Sequence, residues 1–101
     1  MKQYTLKQIT YKVTTSMGQR NVLGFAIDLD LPVRICTRQN SNDEWIFDDF
    51  DTGFSIPVRH TNITEALALC FNLLDKKIAD GAYQRGQAEA FSILKKMGIE
   101  K

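Results

Sequence analysis

Apolar and polar residues alternate along the chain between about residues 3 and 58, which is the pattern of β-strands with one buried face. The clearest run extends from Leu23 to Leu31, where every second residue is apolar. Shorter runs with the same period occupy residues 9–13, 33–35, 45–47 and 54–58. The alternation predicts about five strands.

Short polar segments separate these runs. Ser16–Gln19, Gln39–Asp43 and Asp51–Gly53 contain the Gly, Asn, Asp and Ser residues that favour tight turns. Connections of this length join antiparallel neighbours, because parallel strands need a long crossover. The predicted sheet is therefore an antiparallel meander.

The period changes to that of a helix at Asn62. Asn62 and Glu65 have the spacing of a capping box, and Gly81 suits a left-handed helix end. These signals predict helices at about 62–80 and 83–97. The expected fold is α+β, an antiparallel β-meander of about five strands packed against two C-terminal helices, in a single domain over residues 1–101. The Leu23–Leu31 run and Phe91 are expected in its core.

Composition narrows the classes of function. Thirteen basic and twelve acidic residues give a net charge of +1, which argues against a broad phosphate-binding face. No run of eighteen apolar residues is present, so we expect a cytoplasmic protein without membrane contact. Cys36 and Cys70 lie in apolar contexts without metal-ligand spacing, and we expect both to be buried free thiols.

The chain carries no recognisable catalytic set. His60 is the single histidine, which excludes mechanisms with two imidazoles. Asp28 and Asp30 are two residues apart on one predicted strand, which is half of a two-metal site, but no third acidic ligand is identifiable. We therefore predict a protein that is not an enzyme, with no catalytic residue, no metal and no cofactor.

Acidic residues are densest between Asp43 and Asp51. One interpretation is a partner-binding edge, in which carboxylates steer a basic partner surface and an aromatic residue anchors it. The residues assigned to this surface are Glu44, Asp48, Asp49, Phe50 and Asp51. The other interpretation is a solvated loop whose charges protect a sheet edge from aggregation.

The alternative function is nucleic-acid binding. Arg34 and Arg38 flank a predicted strand and, together with Arg20, would contact phosphates near exposed aromatic residues. Phosphate contacts of this kind weaken steeply with salt, whereas contacts through an acidic edge respond to reversal of its charges. The two hypotheses therefore differ in a measurable way.

Two families share local features with the chain. The segments 44–47, 51–56 and 61–67 together resemble the strand-turn-strand-helix of small uncharacterised phage and mobile-element proteins. Some of those proteins inhibit CRISPR complexes or other host defences, and the resemblance implies such a role. Residues 64–67 after a short strand are similar to the helix start of HicB-type antitoxins, without the Pro-Asp-Leu-Pro-Gly stretch that precedes it there.

These observations together predict a non-enzymatic protein-binding module. The resemblance implies a phage or mobile-element inhibitor that occupies a host protein complex such as a CRISPR effector. A nucleic-acid-binding or antitoxin-like regulatory protein is the alternative. A host or cognate protein is the expected partner, and a homodimer is compatible with the leucine-rich sheet faces.

Overall fold

The computed structural model describes residues 4–28 and 32–99. Its elements are β1 (Thr5–Thr15), β2 (Gly18–Asp28), β3 (Ile35–Gln39), β4 (Trp45–Asp49), β5 (Ser55–His60), α1 (Ile63–Ala79) and α2 (Ala82–Lys96). The strands form one antiparallel sheet in the order β1-β2-β3-β4-β5, and both helices follow it in the chain. The predicted α+β meander with two C-terminal helices is confirmed. Residues 29–31 of the longest alternating run lie outside the described residues.

One face of the sheet, which we call the helix face, is covered by α1. Alternate residues of β2 to β5 project onto the apolar stripe of the helix. The sheet contributes Ile27, Ile35, Phe47, Ile56 and Val58, and α1 contributes Ala66, Leu67, Cys70, Phe71 and Leu74. None of these is more than 9% exposed. Full burial of each large apolar side chain stabilises the fold by about 1.5–3 kcal/mol, so this layer is the main core.

The β1–β2 hairpin bends back over the opposite face of the sheet. Its strands pair along all 11 residues of β1, whereas only residues 25–27 of β2 pair with β3. The Thr14 N–H nevertheless donates to the Gly53 carbonyl, between β4 and β5, at 2.8 Å. A flat sheet would keep these groups three strands apart. The bend also encloses a second buried cluster of Tyr11, Val13 and Cys36.

Gly24 lies at the position where the hairpin separates from β3. A Cβ atom there would lie 2.5 Å from the Thr37 carbonyl oxygen and 2.9 Å from the Tyr11 ring. Glycine inside a strand is typical of such bends and close backbone approaches. Any side chain at residue 24 would therefore push the hairpin away from β3.

Two residues expected in the core are exposed, so that part of the prediction is wrong. Leu23 is 65% exposed because it pairs with Thr10 in the part of the hairpin that no longer pairs with β3. Phe91 is 38% exposed because α2 buries Ala90 and Leu94, and Phe91 lies at the edge of that stripe.

The predicted start of α1 is confirmed. The Asn62 side chain accepts a hydrogen bond from the Glu65 N–H at 3.0 Å. His60 completes the cap, because its Nδ1 accepts from the Asn62 N–H at 2.9 Å and its Nε2 lies 2.7 Å from the Glu65 carboxylate. An imidazole with this pair of contacts carries a proton on Nε2. The single histidine therefore has a structural position at a helix start.

Candidate functional site

The predicted acidic edge is not an edge, because its two central carboxylates are buried. Asp48 and Asp49 are 0% and 4% exposed, so their expected exposure is wrong. Consecutive residues of β4 project to opposite faces of the sheet. Asp48 therefore lies on the face covered by the hairpin, and Asp49 lies on the helix face. Glu44, Phe50 and Asp51 are partly exposed, and their contact with a partner stays a prediction.

Asp48 joins three strands on the face covered by the hairpin. One carboxylate oxygen accepts from the Tyr11 hydroxyl at 2.7 Å and from the Arg38 Nε at 2.9 Å. The other oxygen accepts from the Ser55 hydroxyl at 2.9 Å. Burial first, and then the neighbouring Asp48 carboxylate, raises the pKa of Tyr11 well above its usual range. The arrangement holds β1, β3 and β5 around β4.

Asp49 organises the turn after β4 and holds α2 against it. One of its oxygens accepts from the backbone N–H and the hydroxyl of Thr52, at 3.0 and 2.7 Å. The other oxygen accepts from the Tyr83 hydroxyl at 2.7 Å and from the Gln87 amide at 3.1 Å. Burial and this carboxylate raise the pKa of Tyr83 above its usual range. Both carboxylates therefore connect elements of the fold, and their burial leaves little of either exposed to a partner.

The two cysteines are buried free thiols, as expected. Burial raises the pKa of Cys36 and of Cys70 to about 12. A thiol with such a pKa is protonated at neutral pH, and the thiolate is the reactive form. Neither cysteine therefore has the environment of a nucleophile.

The three arginines of the nucleic-acid hypothesis do not form one free basic stripe. Arg38 is paired with Asp48, and its side chain is only 14% exposed. Arg34 is paired with Asp51, although its own side chain is 69% exposed. Arg20 lies on the distal part of the hairpin, opposite Val13. Arg38 is therefore less available to phosphates than Arg34, and phosphate contact by Arg20, Arg34 or Arg38 stays a prediction.

An open groove lies between the end of α2 and the segments that flank β3 and β4. Its volume is about 730 Å³. We call it the Phe50–Phe91 groove, and it is lined by Arg34, Phe50, Asp51, Phe91, Leu94, Lys95 and Ile99. The Arg34 guanidinium lies 4.7 Å from the centre of the Phe50 ring and also pairs with Asp51. The groove thus combines an apolar floor with a charged rim.

This groove contains residues from both sequence hypotheses. The protein-partner hypothesis includes Phe50 and Asp51, and the nucleic-acid hypothesis includes Arg34, yet Arg34 contacts both of the others. Neither hypothesis includes Phe91 or Lys95. Their signal in the sequence is the breadth of the apolar arc of α2, because Phe91 and Ile93 flank the Ala90–Leu94 stripe on opposite sides.

Within residues 4–28 and 32–99, no group of three or more His, Cys, Asp or Glu side chains is arranged to hold a metal ion. Asp28 is exposed at the end of β2, and Asp30 lies outside the described residues. No helix in the described part of the chain is long and apolar enough to cross a membrane. Comparisons with protein-family models, curated proteins and solved structures give no match to this chain.

Proposed function

We propose that this chain is a non-catalytic protein-binding module that contacts its partner through the Phe50–Phe91 groove. The observation that carries the proposal is the pair of partly exposed phenylalanine rings within a charged rim. Aromatic anchors in a desolvated centre, surrounded by polar residues, contribute most of the affinity in many protein interfaces.

The rim favours a partner with a defined charge pattern. Arg34 and Lys95 supply positive charge and Asp51 supplies negative charge at the same groove. Arg34 approaches Phe50 closely enough for a cation–π contact, which holds the guanidinium and the ring in one orientation. A pre-organised rim loses less conformational entropy on binding.

A finer form of the proposal is a phage or mobile-element inhibitor that occupies a host complex such as a CRISPR effector. It stays a prediction, carried by the resemblance of residues 44–47, 51–56 and 61–67 alone. The nucleic-acid alternative also stays a prediction, although the pairing of Arg34 and Arg38 with aspartates leaves fewer free cations for phosphates.

The test is affinity capture from the lysate of a candidate host, with and without nuclease, using the wild type, Phe91→Ser and Ile93→Ser. The two replaced residues are matched controls, because they are 38% and 39% exposed on the same helix and only Phe91 lines the groove. We expect a nuclease-resistant protein partner that is lost with Phe91→Ser and retained with Ile93→Ser.

The opposite result would redirect the proposal. Retention of the partner by Phe91→Ser would exclude the groove as its contact surface. Capture that disappears with nuclease and with Arg20→Ala would instead support nucleic-acid binding. Charge reversal at Asp48 or Asp49 is unsuitable for this test, because both carboxylates are buried in hydrogen-bond networks and their replacement would disturb the fold.

A further inference from the structure

The outer edge of β1 carries unpaired backbone N–H and C=O groups. One hydrogen bond shows which residues of the strand direct these groups outward. The Thr14 N–H donates to the Gly53 carbonyl, so it points away from β2. In an antiparallel pair, every second residue of an edge strand directs its N–H and C=O outward. The even-numbered residues of β1 therefore face away from β2, while the odd-numbered residues bond to it.

The β4–β5 turn covers only the distal part of this edge. A Cβ atom on Gly53 would lie 2.8 Å from the Lys12 carbonyl oxygen and 2.9 Å from the Thr14 nitrogen. The remaining outward residues are Leu6, Gln8 and Thr10, all exposed. Among the described residues, no backbone hydrogen bond is made by their outward groups. The free edge is therefore symmetric about Gln8.

We propose that this edge pairs with β1 of a second copy of the chain, antiparallel and centred on Gln8. In this register Gln8 lies opposite Gln8 of the other copy, and Leu6 lies opposite Thr10. Each such pair exchanges both of its backbone hydrogen bonds, so every unpaired N–H and C=O of the free edge is satisfied. Lys7 then lies opposite Ile9, which avoids direct contact between like charges.

The opposite edge of the sheet, β5, is poorly suited to pairing, so the proposed contact should stop at two copies. Pro57 lies within β5 and has no N–H to donate, and the β4–β5 register shifts beside it. A head-to-tail contact from β1 to β5 would therefore lack a regular ladder. A twofold contact uses the β1 edge of both copies and leaves none for further growth.

This edge is separate from the Phe50–Phe91 groove, which no β1 residue lines, so the inference does not depend on the proposed function. A contact limited to two strand edges is small, and we expect a dissociation constant of about micromolar or weaker. Sedimentation equilibrium of the purified chain, up to about 1 mM, measures it. A monomer at every concentration would overturn the proposal.

Gln8→Pro removes one outward N–H per copy, at a position where an edge strand tolerates proline. The variant should raise the dissociation constant about tenfold or more. Gln8→Thr keeps the N–H and the strand propensity, so it should dimerise nearly as well as the wild type. Dimerisation unaffected by Gln8→Pro would contradict pairing through this edge.

Cysteine cross-linking tests the register and does not depend on how well the proline variant folds. In the proposed pairing the Cα atoms of the two residues 8 are about 5.5 Å apart, within the range of a disulfide. The two residues 7 are about 8 Å apart, beyond that range. Gln8→Cys should therefore form an oxidised dimer and Lys7→Cys should not, while Cys36 and Cys70 are buried. The reverse pattern would overturn the register.

Discussion

Asp48 is completely buried, and its carboxylate is bound by three hydrogen-bond donors. We therefore expect the stability of the protein to depend strongly on this one residue. Its carboxylate accepts from Tyr11, Arg38 and Ser55. A buried charge is tolerated when its oxygens are satisfied, and the loss of one member of a buried pair leaves the other uncompensated. The side chain of Arg38 is only 14% exposed, so it has little access to water as a substitute partner.

We therefore predict that Asp48→Ala lowers the free energy of unfolding by about 3–5 kcal/mol, measured by urea denaturation. The control is Asp51→Ala, which removes an ion pair with the exposed Arg34 and should cost about 0–1 kcal/mol. Equal effects of the two variants would mean that the Asp48 network does not stabilise the fold.

Two glycines should respond in opposite directions to the same substitution. Gly24→Ala should destabilise the protein, because the new Cβ would lie 2.5 Å from a backbone oxygen. Gly86 lies inside α2, and a Cβ added there would meet no neighbour within 4 Å, so Gly86→Ala should stabilise by about 0.5–1 kcal/mol. Thermal unfolding of the two variants measures both signs. A Gly24→Ala variant as stable as the wild type would contradict the close approach at the bend, and destabilisation by Gly86→Ala would contradict the open space around that residue.

At the scale of elements, α2 is held by few buried contacts. Ala90 and Leu94 are its buried residues, and its first half is fixed by the bonds from Tyr83 and Gln87 to Asp49. Elements with little buried apolar surface open at lower free energy than the core. We expect the amides of α2 to exchange with deuterium faster than those of α1.

Tyr83→Phe should increase this difference. The variant keeps the ring and removes one hydrogen bond to a carboxylate, worth about 1.5–3 kcal/mol. Hydrogen exchange in α2 should accelerate about tenfold or more, while exchange in β3 and β4 changes little. Gln84→Ala, at an exposed position of the same helix, is the control. Equal acceleration in α2 and in the sheet would indicate that α2 opens only with the whole fold.

The elements whose signals are local are predictable from sequence. Alternation predicts the strands, and the spacing of Asn62 and Glu65 predicts the start of α1. The burial of Asp48 and Asp49 is not predictable in this way, because it depends on the bend of the hairpin and on the packing of α2. Their partners Tyr11 and Tyr83 are 37 and 34 residues away in the chain, and no local pattern encodes such contacts.

The candidate site is predictable only in fragments. The sequence identifies Arg34, Phe50 and Asp51, but it assigns Arg34 to the nucleic-acid hypothesis and the other two to the protein-partner hypothesis. Their contact is not predictable from sequence, because Arg34 lies far from both in the chain. Helical spacing places Phe91 in the core, since it identifies an apolar arc and not how much of that arc is covered. The extent of coverage depends on how α2 packs against α1 and the turn after β4.

At the scale of the whole molecule, the thiols of two buried cysteines and the hydroxyls of the buried Tyr11 and the half-buried Tyr83 make the free energy of unfolding depend on pH in the alkaline range. Cys36 and Cys70 have a pKa raised from 9.0 to about 12 by burial. Burial also raises the pKa of Tyr11 and of Tyr83, with Asp48 and Asp49 adding to the effect. All four hold their protons more tightly in the folded state than in the unfolded chain.

The sign of the dependence follows from proton binding. Below about pH 9 these groups are protonated in both states, so the stabilisation is fully present. As the pH rises above the unfolded-state pKa, about 9 for the cysteines and about 10 for the tyrosines, the unfolded chain releases protons first. The free energy of unfolding should then fall by about 1.4 kcal/mol per pH unit for each group that has begun to titrate. Cys70→Ala should therefore reduce the slope by about that amount between about pH 9.5 and 11. Leu69→Ala, at an exposed position, should keep the wild-type slope, and an unchanged slope in Cys70→Ala would contradict the raised pKa of that thiol.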